Sequence, residues 1–408
     1  MLLRNYKYRI YPTGKQKIRL EKQFEICKNL HNDLLEISKE TYKCSGESIT
    51  SRKKLYQVTK ELKESYNIKG YSQVLQNVAD KLNKSYGAFF RRIKEKQKGK
   101  HIKVGYPRFK KRITSIAYPQ NNAFKFKNQR RLQISQIGSI PIELHRTPKG
   151  TLKTLTIKKV PSGKWFASFS CELEEKQVKH KHPDNKVGID IGLKNFATLS
   201  DGTVIDNPRF LRKSEKKIKR EQRRLSKKKK GSNNKEKQRV KLARCYETIT
   251  NQRMDFLHKL THHITQHYSF ISIEDLGVSN MVKNHNLAKS ISDASWSTFT
   301  GMLTYKAPSA GSKKVEVDRF YPSSQICREC GNKQKMPLHK RIYKCENCGA
   351  IIPRDDNAAT NILEEGLRKN TVGQTEIHAC GDLTSTGKSK DLSASQIAEA
   401  GTICDKSQ

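Results

Sequence analysis

The chain has 408 residues, enough for two or three domains with sizeable cores. Its 82 Lys and Arg stand against 39 Asp and Glu, a formal charge of +43, and only 34% of residues are hydrophobic. A surface so positive repels itself unless a polyanion neutralises it, which sets aside a merely soluble basic protein and points to DNA or RNA.

Residues 4–12 read as a strand ending at Tyr11 and Pro12. From about Gln16 to Lys98 apolar residues recur at helical spacing. Leu20, Phe24, Leu30, Leu34 and Leu35 form one run; Val74, Leu75, Val78, Leu82, Phe89 and Phe90 form a second. From Ile102 to Glu174 the pattern changes to short β segments, notably Leu152–Ile157 and Trp165–Cys171 on either side of a Pro161–Gly163 turn. These signals predict a β-barrel-like domain, begun by residues 4–12, with a helical block inserted in it.

Lys186 to Ile205 reads as strand, turn, strand, turn, strand: 187–191, 196–199 and 203–205, with Asp201-Gly202 as the second hairpin turn. Residues 212–244 then carry 17 Lys and Arg against three Glu, a net of +14. Such runs are usually solvated faces or tails, but Leu211, Ile218 and Leu225 recur every seven residues. That seam favours two long antiparallel helices, broken near Gly231–Asn234, facing nucleic acid. A helix from Met254 to about His267, the strand 270–274, a helix near Trp296–Lys306 and the strand 314–318 follow. A cysteine-rich segment and a helix over 357–367 complete the pattern. Beyond about Lys369 the chain is Ser/Thr/Gly-rich and is expected to be mostly disordered.

No run of about 18 apolar residues is present, so no membrane span is expected, and the first residues lack the apolar core of a signal peptide. Of the ten cysteines, six are scattered and four form Cys327-x-x-Cys330 and Cys345-x-x-Cys348 around 14 residues. This predicts one metal site and free thiols in a reducing cytoplasm, not a disulfide framework. Two such knuckles, each followed by a glycine (Gly331, Gly349), can hold zinc tetrahedrally; a redox pair is the rival reading. Four thiolates leave no open position for water, so the zinc is expected to be structural.

Three acids stand out. Asp190 interrupts the apolar strand Val187, Ile189, Ile191, where a carboxylate is costly unless a cation compensates it. Glu274 ends the strand Phe270–Ile273, and Asp355, seven residues after Cys348, opens a helix whose dipole favours an anion. Each alone reads as a strand-end acid or a cap. Together they match a ribonuclease-H-like sheet that gathers distant carboxylates around two Mg²⁺ for phosphodiester hydrolysis. Asp355 and Asp356 compete for the third place, about 100° apart around a helix. His180-Lys-His182 lacks the apolar middle residue of the His-hydrophobic-His nicking pair, and no Gly-Lys-Ser/Thr phosphate loop is present.

These residues make the chain resemble the TnpB family, transposon-encoded relatives of compact type V CRISPR effectors. The similarity is carried by Tyr8–Pro12, Leu75–Asn77, Phe89–Arg92, Val104–Phe109, Gly188–Gly192, Ile273–Leu276, Ile291–Trp296, the cysteine ribbon and Asp355–Ile362. It implies a RuvC-type nuclease with catalytic acids Asp190, Glu274 and Asp355, the last chosen by the Asp-x-Asn pattern of Asp355 and Asn357. It also implies a guide RNA from the transposon end and double- and single-stranded DNA targets beside a short motif. Gln76, Arg108, Lys227 and Lys228 are the expected nucleic-acid contacts, while Ser72 departs from the Lys of some relatives. Aromatics among basic residues, Tyr106, Phe109, Phe124 and Phe126, suit stacking on bases, or the core. Pro308 falls where relatives continue a helix and should kink or shorten it; Pro353 replaces a polar residue.

The fold expected is α+β and multidomain. A wedge-like β-barrel (1–15, 100–180) holds an inserted helical recognition domain (16–99). A RuvC-like domain (181–320, 350–369) holds a zinc-ribbon insertion (321–349), and a tail (370–408) follows. The function expected is RNA-guided, Mg²⁺-dependent DNA cleavage by a monomer with its RNA, in the nucleoid-associated cytoplasm of a prokaryote. The alternatives are a strand-transfer transposase and a nuclease-dead RNA-guided repressor. Delegating sequence reading to base pairing suits a broad positive channel.

Overall fold

The structure, a computed structural model, describes residues 2–174, 178–337 and 339–381. It divides into two compact units, Met1–Lys176 with Glu215–Thr248, and Gln177–Ser214 with Ile249–Gln408.

In the first unit, β1 (Leu2–Ile10) leads into α1 (Gly14–Ser45), α2 (Arg52–Ser65) and α3 (Ser72–Gln97). Six strands follow: β2 (Ser115–Tyr118), β3 (Phe124–Asn128), β4 (Arg131–Ile134), β5 (Gly138–Glu143), β6 (Thr151–Lys159) and β7 (Trp165–Leu173). The helical block thus contains a third helix, α2, beyond the two apolar runs; Ser51 starts it by accepting from the Lys54 N–H. Thr13 and Gln16 close a reciprocal capping box at the start of α1, and Gly46, at φ 69°, ends that helix.

The seven strands form one antiparallel sheet in the order β2-β6-β7-β1-β5-β4-β3. Among the described residues neither edge strand, β2 or β3, pairs further, so this is a half-barrel rather than a closed barrel. It curls strongly. The rings of Phe124 and Phe126 on β3 lie 5.6 and 5.0 Å from Phe169 on β7, four strands away. In a flat sheet that separation would be roughly 19 Å. The concave core takes in Tyr8, Tyr118, Leu155 and Phe169, and Phe24 of α1 stacks on Trp165 at 5.6 Å.

The second unit begins with β8 (Lys186–Ile191), β9 (Asn195–Leu199) and β10 (Val204–Asp206); the chain then enters α4 (Phe210–Ser226) and α5 (Asn233–His267), of which the stretch Glu215–Thr248 belongs to the first unit and the rest to the second. Next come β11 (Phe270–Glu274), α6 (Val278–Met281), α7 (His285–Ala294), α8 (Trp296–Ala310) and β12 (Lys313–Val317). The two-stranded ribbon β13 (Ile342–Lys344) and β14 (Ile351–Pro353) precedes α9 (Arg354–Gly381). The main sheet runs β10-β9-β8-β11-β12, antiparallel through β8–β10, with β11 parallel to both β8 and β12. Val187, Ile189, Phe196, Ile271, Trp296 and Phe299 fill its core.

Three sequence expectations change here. First, α5 runs unbroken for 35 residues, so the basic segment and the helix expected from Met254 are one element. Neither glycine nor proline lies between 245 and 253 to interrupt it. Second, α8 continues to Ala310 through Pro308. The proline occupies the last turn, where Gly311, at φ 77°, closes the helix with its N–H directed to the Pro308 carbonyl. Third, α9 is assigned to Gly381, beyond the end near residue 367 that the pattern predicts; no proline stands in 368–381 to stop the helix. The rest of the expected tail, 382–408, lies outside the described residues. Among the described residues no helix is long and apolar enough to cross a membrane.

Candidate active site and metal centre

The three acids converge by the packing of α9 on the second unit's sheet. Gly188 on β8 lies against the backbone of α9 at Ala359 and Leu363, so close that a Cβ there would collide with the Ala359 carbonyl. Its neighbour across the sheet, Ser272 on β11, donates to the Ile362 carbonyl at 2.6 Å and abuts Gly366. Residues two apart on a strand share a face. Asp190 and Glu274, two residues beyond Gly188 and Ser272, therefore point toward the same helix from the carboxyl ends of adjacent strands. Asp355 lies in the first turn of α9, about 6 Å along the axis before Ala359. The later helical residues lie toward Phe270, so α9 runs against the strands and brings Asp355 to the acids.

The electrostatics agree with that geometry. Burial, then the Asp355 carboxylate, raise the pKa of Asp190 to about 7, with partial relief from Arg354. Burial, then Asp190 and Asp275, raise Glu274 to about 7. Neither Asp190 nor Glu274 makes an ion pair among the described residues. Asp355 does: Arg354 Nε lies 3.4 Å and Arg341 Nη1 3.9 Å from its Oδ1. Asp356 has no such involvement, and its carbonyl accepts from Thr360. Three half-buried carboxylates, with burial and a neighbouring acid disfavouring the charge of Asp190 and of Glu274, are a hard-oxygen donor set suited to Mg²⁺. Their oxygens do not gather as tightly as the four sulfurs do: among the described residues, the cysteine quartet is the group whose ligand atoms all lie within 4.8 Å.

In that quartet, Cys327 and Cys348 sulfurs are 3.7 Å apart and those of Cys330 and Cys345 are 3.5 Å apart. Gly331 and Gly349 adopt φ of 71° and 73°. This lets their N–H groups turn back to the carbonyls of Cys327 and Cys345 at 2.9 and 3.1 Å. Backbone N–H groups of Cys348 and Asn347 help lower Cys345 to about 6. Cys348 has an N–H from Ala350 in its favour, yet its hydrogen bonds with Cys330 and Cys345 push it up to about 12. Four adjacent sulfurs cannot all ionise without a cation, and the tetrad could hold zinc.

Two asparagines tie the ribbon to the acids, a role the sequence reading did not assign. Buried Asn357 accepts from the Arg328 N–H at 3.0 Å and donates to the Ile326 carbonyl at 2.6 Å. Asn361, one turn on, donates to Ser323 and Ile326, both at 2.7 Å. Their i,i+4 spacing was the available signal. Asp293 was also unassigned. It accepts from the Leu211 N–H at the start of α4 and from Arg253 Nη2 at 2.7 Å, joining α4, α5 and α7.

The expected nucleic-acid contacts lie in the first unit. Gln76 is exposed on α3, Arg108 is exposed in the segment before β2, and Lys227 and Lys228 are exposed where α4 turns into α5. Of the four aromatics, Phe124 is buried and Phe126 packs on Phe169, so both serve the core. Tyr106 and Phe109 remain exposed, with Lys39 Nζ over each ring at 5.4 and 4.5 Å.

Residues 168–285 match a family described as "Probable transposase", 296–362 match "Cas12f1-like, TNB domain", and 1–47 match "Helix-turn-helix domain". The last stretch is here one strand and one long helix. A Streptomyces pristinaespiralis protein named as an RNA-guided DNA endonuclease is 34% identical over 412 residues, spanning 98% of each chain. Escherichia coli InsQ, similarly named, is 30% identical over 424 residues, spanning 98% of this chain and 99% of its own. A solved Cas12f1–sgRNA–target DNA complex superposes with a TM-score of 0.51 at 13% identity, over 89% of this chain and 98% of that one. At that identity the likeness is one of fold, a mixed α+β architecture.

Proposed function

The chain belongs to the TnpB family, and from that premise we propose that it is an RNA-guided DNA endonuclease of a transposable element. Its catalytic centre is a RuvC-type site of Asp190, Glu274 and Asp355. One observation carries the assignment: Asp190 and Glu274 share a face on adjacent parallel strands, directed at the helix turn that bears Asp355. The strand order β10-β9-β8-β11-β12 supports a ribonuclease-H-like reading of this sheet.

Two Mg²⁺ held by these carboxylates would supply an activated water and charge stabilisation for the leaving oxygen. The chain's own part is to hold the carboxylates in place. The backbone contact at Gly188 sets the height of Asp355 over Asp190, and Asn357 and Asn361 lock α9 to the ribbon. Arg354 and Arg341 offset the Asp355 charge. Cys327, Cys330, Cys345 and Cys348 would hold zinc, which with four thiolate ligands would be structural and stiffen the ribbon. Guide RNA and target DNA occupy basic surface, with Gln76, Arg108, Lys227 and Lys228 as contacts. One protein copy acts with one RNA.

Strand transfer uses the same kind of carboxylate site and is the second reading, supported by the "Probable transposase" match. RNA dependence separates the two. RNA that copurifies with the protein is sequenced, restored to it, and presented with a plasmid library carrying its target. Mg²⁺-dependent cuts beside a short motif, lost in Asp190→Ala with binding retained, are expected. Joined donor–target products made without RNA, or undiminished cutting by Asp190→Ala, would overturn the proposal. A nuclease-dead repressor is disfavoured because all three acids are present.

A further inference from the structure

The first unit contains a charged cavity separate from the acids and the ribbon. It measures about 300 Å³ and lies between α1, α3 and the chain entering β2. Buried Cys27, Val74 and Val78 line its apolar side, while Asn77, Lys81, Lys110 and Arg112 bring polar groups to it. Among the described residues, no carboxylate and no aromatic ring lines it. Lys110 is held in place by Asn32, whose side-chain amide donates to the Lys110 carbonyl at 3.1 Å and accepts from its N–H at 2.8 Å.

Among the described residues, neither Lys81 nor Lys110 forms an ion pair or a side-chain hydrogen bond. Burial lowers the pKa of Lys110. Desolvation against the cavity wall, then the charge of Lys110, lower that of Lys81, although Lys81 as a whole residue is exposed at the rim. Buried His31, one turn along α1 from Cys27, adds no charge. Burial, then Lys110, lower it to about 4, against a backbone contact with Arg108 that raises it. Two facing ammonium groups without an acid disfavour each other, and an anion between them removes that repulsion. With no ring for a base to stack on, the cavity suits a phosphate rather than a nucleobase.

We propose that this cavity binds a single backbone phosphate of a nucleic acid, gripped by Lys81 and Lys110, with Asn77 and Arg112 at its edge. The nuclease reading bears only on the source of that phosphate, RNA or DNA. The test uses the full chain freed of RNA at high salt, with Lys110→Met, Lys81→Met and, outside the cavity on α2, Lys53→Met. The probes are a labelled 30-nucleotide RNA, a labelled 30-base-pair DNA of arbitrary sequence, and inorganic phosphate. None needs a guide or cleavage, so failure of the nuclease assignment leaves the outcome readable.

Lys110→Met is expected to raise the melting temperature of the free protein by about 2–4 °C. It should weaken one or both nucleic acids about 5- to 10-fold and reduce the salt slope by about one ion. An effect confined to the RNA or to the DNA identifies the source. Lys81→Met, at the tolerant rim, should reproduce the binding loss should Lys110→Met fail to fold. Binding losses no larger than those of Lys53→Met refute the proposal. So does a protein stabilised by inorganic phosphate whose nucleic-acid affinities are unchanged in both cavity variants.

Discussion

Replacing Asp190 by Asn tests the carboxylate cluster through stability as well as catalysis. In the metal-free protein this acid opposes folding, because burial and Asp355 raise its pKa from 3.8 to about 7. A carboxyl whose folded pKa lies above its unfolded value holds its proton better in the native state. Native stability therefore falls as pH rises from about 4 to about 7, and the loss is complete above that window. The full rise corresponds to at most about 4 kcal/mol. Partial exposure of Asp190 and relaxation around it reduce this to about 2 kcal/mol. For a unit of this size, about 2 kcal/mol moves the melting temperature by about 4–8 °C. Calorimetry in chelator at pH 8 should find Asp190→Asn more stable than the parent by that amount, with the gap closing as pH falls toward 4. Mg²⁺ should stabilise the parent and not the variant, and cleavage should be lost. A variant less stable at pH 8, or a gain independent of pH, would refute the reasoning.

Gly188→Ala forces a Cβ into the backbone of α9, 2.7 Å from the Leu363 nitrogen. It should cost about 1–3 kcal/mol in urea unfolding and suppress cleavage more than DNA binding, by displacing Asp355. Cys345→Ser should reduce zinc, counted by elemental mass spectrometry, from one ion per chain to none and expose the ribbon to protease; retained zinc would contradict the tetrad. Asp293→Ala strands the half-buried Arg253 and uncaps α4. It should lower stability by about 3–5 kcal/mol, and Asp293→Asn should recover the cap without the ion pair.

The strands and helices carrying the site were legible because their periodicities are local. Phe270–Glu274 and the 187–191 strand appear where the alternation and apolar runs put them. The cysteine knuckles declared themselves by spacing alone, since two Cys-x-x-Cys turns ending in glycine have few other uses. What the chain concealed was continuity and partnership. Nothing in the composition of 245–253 marks it as a helix joining two units, and the third helix of the first unit lacks a long apolar run. Phe124 and Phe126 could be read as base-stackers or as core, and only the curl of the sheet, which packs them against Phe169, decided for the core.

Residue type and spacing alone pointed to a polyanionic partner, to the sulfur tetrad and to Asp190 and Glu274, with Asp355 and Asp356 as alternatives for the third acid, because charge, thiolate chemistry and an acid in an apolar strand are properties of the chain itself. Tertiary structure decided which acids meet. Asp190 and Asp355 are 165 residues apart, and their approach depends on a side-chain-free Gly188 letting α9 rest on β8. It also decided that Asp355 rather than Asp356 faces Asp190, because a helix start has no sequence-encoded rotation until packing fixes it.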